Sequence, residues 1–185
     1  MIDSGTLVLF GAKGNLARVK LIPGLFHLDA CGKLPPAMKI LSVGRQEVSD
    51  DAWVAEIKDM LEKKFKGNYD QLVFDRFIKR NIYHCNLPDD PDAFKKFALK
   101  LNDDKKFTKN FAFFLSVRPS DFALIVDQLA EQNLLDESQG GYRRVLIEKP
   151  FGTDLETAIE LQTSIEKHLK ESQIYRIDHY LGKTA

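Results

Sequence analysis

The sequence predicts an α/β fold in which helices cover both faces of a mainly parallel, doubly wound sheet. One observation is the alternation of short apolar runs of strand length with longer segments whose apolar residues recur at helical spacing. Strands that alternate with helices in this way form parallel sheets through right-handed crossovers. A second observation is that the first apolar run, residues 6–10, leads through a glycine-containing turn directly into a helical segment. We therefore expect ligands to bind beyond the carboxyl ends of the strands.

Short apolar runs bounded by turn residues mark the strands. The run at residues 110–117 is the most apolar of them, which predicts a place at the centre of the sheet. The predicted strands are, in chain order, residues 6–10, 38–43, 81–86, 110–117, 144–147 and 174–177.

Capping residues and helical spacing mark the helices between these strands. Ser49 can cap the second helix. Asp90 and Pro91 form a cap and first-turn pair for the fourth helix. Thr153 and Glu156 have the spacing of a capping box for the last helix. The predicted helices are, in chain order, residues 16–28, 50–66, 70–79, 90–101, 119–133 and 153–168.

Composition limits the possible functions. Of the 185 residues, 44% are hydrophobic and 29% are charged, as in an ordinary globular domain. The 27 basic and 27 acidic side chains cancel, which argues against nucleic acid or an anionic membrane as the main partner. Cys31 and Cys85 lack metal-ligand spacing, so we expect two buried thiols in a reducing compartment. Because we find no signal peptide and no membrane-spanning stretch, we expect a cytoplasmic protein.

The turn after the first strand is a candidate phosphate site. Gly11 and Gly14 lie between a buried strand and a helix, where the backbone and the free N–H groups of the first helical turn can approach an anion. Lys13, Arg18 and Lys20 add positive charge around this turn. The spacing G-x-x-G-x-x-A differs from the commoner G-x-G-x-x-G, so an ordinary βα turn remains the alternative for the glycines alone. A P-loop is excluded because no Gly-Lys-Ser/Thr follows at the required distance.

The residue that follows the second strand bears on the choice of coenzyme. In dinucleotide-binding folds an acidic residue there holds the ribose 2′-hydroxyl of NAD, whereas an arginine suits the 2′-phosphate of NADP. This chain has Arg45 at that place. The pattern indicates NADP, with a solvated arginine in a turn as the alternative for this residue alone.

Longer motifs resemble one known family. Residues 148–155, EKPFGTDL, and residues 176–183, RIDHYLGK, resemble the two signature segments of the glucose-6-phosphate dehydrogenases. The stretch GAKGNLARVKL that begins at Gly11 is similar to the coenzyme fingerprint of that family, and residues 114–119 are similar to its segment near the nicotinamide. The matches run along the whole chain in the right order.

The resemblance implies a Rossmann-like, NADP-binding domain over residues 1–185. The implied reaction is hydride transfer from C1 of glucose 6-phosphate to NADP, giving 6-phosphogluconolactone, in the first step of the oxidative pentose phosphate pathway. The resemblance also implies that the family's C-terminal substrate and oligomerisation domain is absent from these residues. On that basis we expect residues 1–185 alone to be inactive, and only the full-length enzyme to form a homo-oligomer.

The resemblance also implies roles for particular residues, and none of them is a metal ligand. Asp178 would orient a catalytic histidine that lies further along in full-length members of the family. Lys149 would reach both the coenzyme and the sugar, and the sugar phosphate would be bound by His179, Tyr180 and Lys183. The residues implied to hold the coenzyme are Gly11, Lys13, Gly14, Asn15, Leu16, Lys20, Arg45, Pro119 and Lys149.

The sequence departs from the family pattern at three positions. Where the family usually has aspartate, this chain has Asn15. It has Val19 where the family often has a basic residue, and Arg118 where the family often has proline. Asn15 can still cap the helix, so the turn should be retained. A non-catalytic module that binds or senses NADP is the alternative function, although it would have no use for the cluster at residues 178–183. A short-chain reductase is excluded because no Tyr-x-x-x-Lys pair is found.

Overall fold

Six parallel strands form one sheet in the computed structural model. The structure describes residues 4–87, 90–103, 105, 107–138, 140–149, 151–152 and 154–178. The strands are β1 (Thr6–Phe10), β2 (Lys39–Gly44), β3 (Asn81–Cys85), β4 (Phe111–Leu115), β5 (Arg143–Glu148) and β6 (Ile174–Ile177). Their order in the sheet is β3-β2-β1-β4-β5-β6, and every neighbouring pair is parallel. The predicted fold class is confirmed, and so is the central place of β4.

The helices occupy the predicted segments. They are α1 (Ile22–Ala30), α2 (Asp50–Phe65), α3 (Gln71–Arg80), α4 (Ala93–Asp103), α5 (Phe122–Glu131) and α6 (Leu155–Glu166). A π-helical turn over Ala17–Leu21 precedes α1, and 3₁₀ turns over Pro119–Asp121 and Glu171–Gln173 precede α5 and β6.

The π turn alters the face that the first helix buries. Sequence spacing places Val19 on the apolar face, but Val19 is 50% exposed whereas Ala17 is fully buried. Val19 lies within this π turn, which holds more residues than an α turn, so the residues in and after it do not keep the spacing of a regular helix. The predicted apolar face is therefore wrong at Val19.

Side-chain caps are observed at the starts of α2 and α6, where the sequence predicts them. The Ser49 hydroxyl accepts a hydrogen bond from the Ala52 amide (3.2 Å), as expected for the cap of α2. The N-cap of α6 is Asp154, which forms a capping box with Thr157. The predicted cap, Thr153, lies outside the described residues, and the capping box that is observed starts one residue later. The helix ends at Glu166, two residues before the predicted end.

Two hydrophobic clusters lie on opposite faces of the sheet, as a doubly wound fold requires. In β1, Val8 and Phe10 belong to one cluster, which also holds the buried faces of α4, α5 and α6. Leu9, between them, belongs to the other cluster, which holds the buried faces of α1, α2 and α3. Successive residues of a strand point to opposite faces, so a strand that is apolar throughout contributes to both clusters.

Both cysteines are free, as expected, but the prediction that they are buried is wrong: Cys31 is exposed just after α1, and Cys85, at the end of β3, is only partly buried. In the described part of the chain, no helix is both long and apolar enough to cross a membrane. Within the same residues, no group of three or more histidine, cysteine, aspartate or glutamate side chains is placed to hold a metal ion.

Candidate functional site

A cleft of about 990 Å³ opens at the carboxyl ends of β1, β2 and β4. The chain leaves β1 towards β2 on one side and later returns to β4 on the other. This is the topological switch point at which open α/β sheets bind their ligands. The residues of interest in its lining are Gly11, Lys13, Gly14, Gly44, Arg45, Gln46, Ser116, Arg118 and Asp121.

The Gly11 turn is attached to both strands that flank β1. Gly11 has φ +76°, and a Cβ there would lie 2.1 Å from the carbonyl oxygen of Ser116, at the end of β4. The Ala12 amide donates to the carbonyl of Val43, in β2 (3.0 Å), and the Gly14 amide donates to the carbonyl of Gly11 (2.8 Å). Only glycine fits this positive φ and this close approach.

The helix that follows the turn starts without a side-chain cap. The N-cap position is Leu16, whose φ of −60° and ψ of −48° are already helical. Asn15 is itself already helical and is exposed, and the first helical hydrogen bond is accepted by the carbonyl of Gly14, so the cap expected from Asn15 is not formed. The π turn itself is an irregularity that occurs often at functional sites.

Two of the cations around the turn are bound by an acidic side chain from α2. Lys13 Nζ lies 2.8 Å from one carboxylate oxygen of Glu56, and an Arg18 guanidinium nitrogen lies 3.2 Å from the other. Arg18 also lies 3.6 Å from Asp59. Lys20, the third predicted cation, is exposed on the π turn. A phosphate at this turn therefore has to share Lys13 with Glu56 or draw it away from that carboxylate.

Arg45 pairs with an acidic side chain across the cleft. Its guanidinium lies 2.8 Å from one carboxylate oxygen of Asp121, and Arg118 lies 3.4 Å from the other. Partial burial raises the pKa of Asp121, but the hydrogen bonds from Arg45 and Ser120 and the charge of Arg118 outweigh it, so this pKa lies below its ordinary value. Asp121 is therefore ionised at neutral pH.

Tyr83, on β3, fixes the loop that carries Arg45. Its hydroxyl donates to the carbonyl of Gln46 (2.9 Å). A Cβ on Gly44 would lie 2.1 Å from the same hydroxyl oxygen, and the Trp53 ring packs against the tyrosine ring with centroids 4.9 Å apart. Burial raises the pKa of Tyr83 to about 12, so the hydroxyl keeps its proton and remains a donor.

A second charged pair lies at the ends of β5 and β6. Lys149 Nζ lies 3.0 Å from a carboxylate oxygen of Asp178, and the Lys149 amide donates to the carbonyl of Ile177 (3.2 Å). Neither residue is among the described residues that line the cleft. The sheet therefore presents two groups of predicted residues along one edge, and not a single cluster.

The predicted site residues fall into three sets. Those that line the cleft are Gly11, Lys13, Gly14 and Arg45. Those outside its lining are Asn15, Leu16 and Lys20, on the helical segment after the turn, and Pro119, Lys149 and Asp178, which follow the ends of strands. The predicted sugar-phosphate residues His179, Tyr180 and Lys183 lie outside the described residues.

Sequence reasoning missed Glu56, Tyr83 and Asp121. The expectation that residues after strands meet at one edge would have found Asp121, which follows Pro119 by two positions. No comparable signal marks Glu56, which lies in the middle of a helix, or Tyr83, which lies within a strand.

Comparison with known proteins gives consistent matches. The family described as "Glucose-6-phosphate dehydrogenase, NAD binding domain" matches residues 8–185. Glucose-6-phosphate 1-dehydrogenase of Treponema pallidum is 41% identical over 181 residues, which are 96% of this chain and 35% of that relative. The enzyme of the same name from Dickeya dadantii is 36% identical over 178 residues, with 96% and 35% covered.

Two solved structures share the fold. The crystal structure of glucose-6-phosphate 1-dehydrogenase from Mycobacterium avium has a TM-score of 0.84 at 32% identity, covering 97% of this chain and 36% of that one. A glucose-6-phosphate dehydrogenase in complex with its substrate glucose-6-phosphate also has a TM-score of 0.84, at 35% identity, covering 98% and 38%. This chain spans about a third of the length of the curated relatives described above.

Proposed function

Because the chain belongs to the glucose-6-phosphate dehydrogenase family, as its NAD binding domain, we propose that it binds NADP in the cleft beyond β1, β2 and β4. We further propose that it provides the coenzyme half of an enzyme that oxidises C1 of glucose 6-phosphate to 6-phosphogluconolactone, at the start of the oxidative pentose phosphate pathway. The observation that supports this most strongly is the placement of Arg45 beside the Gly11 turn at the switch point of the sheet.

The residues of the cleft suit the parts of this coenzyme. The backbone of the Gly11 turn, with Asn15 and Leu16 at the helix start, would hold the pyrophosphate, since N–H groups at a helix N-terminus attract anions. Gly14 keeps the turn short, and Lys13 would move from Glu56 towards the phosphates. Bound NADP would accept the hydride from the sugar. The remaining residues proposed to contact it are Lys20, Arg45, Pro119 and Lys149.

Arg45 is proposed to select NADP over NAD. A guanidinium binds a phosphate through charge-assisted hydrogen bonds, and the ribose 2′-hydroxyl of NAD offers no comparable charge. The loop that carries Arg45 is fixed by the Tyr83 hydroxyl at Gln46, which limits the positions that the guanidinium can reach.

The sugar is proposed to bind at the β5 and β6 end of the same edge. Lys149 would reach the sugar and the coenzyme, and Asp178 would orient a catalytic histidine that the family resemblance places outside residues 1–185. His179, Tyr180 and Lys183 would bind the sugar phosphate, because an imidazole, a phenol and an ammonium group all donate hydrogen bonds to a phosphate. We also propose a cytoplasmic location, and a homo-oligomer for the full-length enzyme only.

Replacing Arg45 tests the choice of coenzyme. If its contact with the 2′-phosphate contributes about 1.5–3 kcal/mol, Arg45→Ala should weaken NADP binding by about 10- to 150-fold and leave NAD binding nearly unchanged. Calorimetric titration of both coenzymes measures this. Lys64→Ala, which removes one positive charge from the exposed face of α2, is the control for net charge. An equal loss for NADP and NAD in Arg45→Ala would contradict the assignment.

A further inference from the structure

A carboxylate lies between two arginines at the mouth of the cleft. Asp121, at the end of the 3₁₀ turn before α5, binds Arg45 through one oxygen (2.8 Å) and Arg118 through the other (3.4 Å). The Ser120 hydroxyl also lies within hydrogen-bond distance of Asp121 (3.2 Å). Arg45 comes from the end of β2, on the opposite wall of the cleft, so the Arg45–Asp121 pair bridges two walls.

Asp121 is the more fixed member of this pair. Its side chain is 18% exposed and has three hydrogen-bond partners, whereas the Arg45 side chain is 57% exposed. In the coenzyme-free protein, Asp121 therefore determines where the Arg45 guanidinium lies. An anion that binds Arg45 has to replace this carboxylate or share the guanidinium with it, because the carboxylate already occupies part of its donor set.

We propose that Asp121 is a specificity-determining residue of the coenzyme site, which weakens the binding of a 2′-phosphate by competing with it for Arg45. This inference rests on the proposed function, in which Arg45 contacts the 2′-phosphate of NADP. When the phosphate takes the place of the carboxylate on Arg45, the two anions lie close together and repel each other, so Asp121 opposes NADP both before and after binding.

The same carboxylate favours a coenzyme without the 2′-phosphate. A ribose 2′-hydroxyl can donate a hydrogen bond to a carboxylate, and an acidic residue serves this purpose in many NAD sites. Asp121 therefore narrows the difference in affinity that Arg45 creates between NADP and NAD. Arg118, the second arginine on Asp121, becomes available to the phosphate when the carboxylate is neutralised.

Asp121→Asn removes the charge and keeps the size of the side chain. We expect it to tighten the binding of 2′,5′-ADP and NADP by about three- to tenfold, the range set by one exposed ion pair and one nearby like charge. Binding of 5′-ADP and NAD, which lack the 2′-phosphate, should stay unchanged or weaken. The gain should shrink as salt is added, because the Arg45 side chain is more than half exposed and its interactions are screened. A gain in affinity cannot come from unfolding, so the sign of the change is informative by itself.

A double-substitution cycle separates this inference from the proposed function. In an Arg45→Ala background, Asp121→Asn should produce a much smaller gain, because the carboxylate then has no Arg45 to compete for. Asp75→Asn, an exposed aspartate on α3, is the control for the loss of one negative charge and should change neither probe.

The outcomes are distinct. If Arg45→Ala weakens 2′,5′-ADP selectively but Asp121→Asn leaves its affinity unchanged or lowered, the role of Asp121 is wrong and the NADP assignment stands. An undiminished gain in the Arg45→Ala background also overturns that role. If Arg45→Ala weakens 2′,5′-ADP and 5′-ADP equally, both the proposed coenzyme choice and the role of Asp121 fall.

Discussion

Replacing Gly11 with alanine tests why the turn after β1 contains glycine. Two costs are expected, since Gly11 has φ +76° and its new Cβ would lie 2.1 Å from the carbonyl oxygen of Ser116. Gly32, after α1, has a similar φ of +67°, but nothing lies within 4 Å of the Cβ that alanine would add there. Gly32→Ala therefore carries the backbone cost alone and is the matched control.

The observed geometry at each glycine determines which energetic costs apply to its replacement by alanine. Placing alanine at positive φ costs about 1–2 kcal/mol, and this applies to both glycines. The collision with Ser116 requires the ends of β1 and β4 to separate by roughly an ångström, and overpacking of this kind costs a further ~1–3 kcal/mol. The two variants should thus differ in free energy of unfolding by about 1–3 kcal/mol, or several degrees in melting temperature for a chain of this size.

Urea unfolding of both variants, followed by coenzyme titration, measures the two consequences separately. Gly11→Ala should weaken NADP and NAD to a similar extent, because the turn is proposed to bind the pyrophosphate that both coenzymes share. Gly32→Ala should weaken neither. Equal destabilisation by the two substitutions would refute the close approach to Ser116 as the reason for Gly11, and selective loss of NADP alone would refute the assignment of the turn to the pyrophosphate.

Two further predictions concern the pH dependence of stability at His84 and the catalytic activity of residues 1–185. Burial and, to a smaller extent, the charge of Lys100 lower the pKa of His84 from 6.5 to about 4. The folded protein holds His84 in its neutral form, and the resulting contribution to the free energy of unfolding is fully present above pH 6.5. It is lost as the pH falls towards 4, because the unfolded chain binds the proton at a higher pH than the folded protein does. Between pH 6.5 and 4, His84→Leu should therefore lose about 1–2 kcal/mol less stability than the unsubstituted protein, after allowance for the partial exposure of His84. Urea unfolding at several pH values measures this, and parallel pH–stability curves for the two proteins would contradict it. A polypeptide of residues 1–185 should bind NADP but make no NADPH from glucose 6-phosphate. Asp178 is paired with Lys149 and is a poor general base, and general-base assistance contributes about 10²–10⁴-fold to such a reaction. Turnover that disappears in Asp178→Asn would refute this.

The sheet could be predicted because its strands carry a local signal. The predicted bounds of the first and last strands, residues 6–10 and 174–177, match the structure, and each end of the other four strands lies within two residues of its prediction. Buried parallel strands need apolar side chains on both faces, as Leu9 and Phe10 show by packing into opposite clusters. Each such strand is therefore recognisable from its own apolar run, without knowledge of the rest of the chain.

The charged pairs of the site could not be predicted in the same way. Lys13 and Glu56 are separated by 43 residues, and Arg45 and Asp121 by 76. A strand-end rule brings such residues to one edge, but it does not say which carboxylate meets which cation. The π turn was missed for a related reason, since no residue between Ala17 and Leu21 distinguishes it from a regular helix.

The order of the strands explains why the predicted residues form two groups rather than one. Arg45 follows β2, the Gly11 turn follows β1, and Lys149 follows β5. With neighbouring strands about 4.8 Å apart, Arg45 lies roughly one strand spacing from the turn on one side and Lys149 about two spacings on the other. A dinucleotide that places its 2′-phosphate at Arg45 and its pyrophosphate at Gly11 therefore has its nicotinamide directed across β4 towards Pro119 and Lys149. The Lys149–Asp178 pair lies outside the cleft because β5 and β6 are the two strands farthest from β2 on that side of the sheet, and this is where the sugar is proposed to bind.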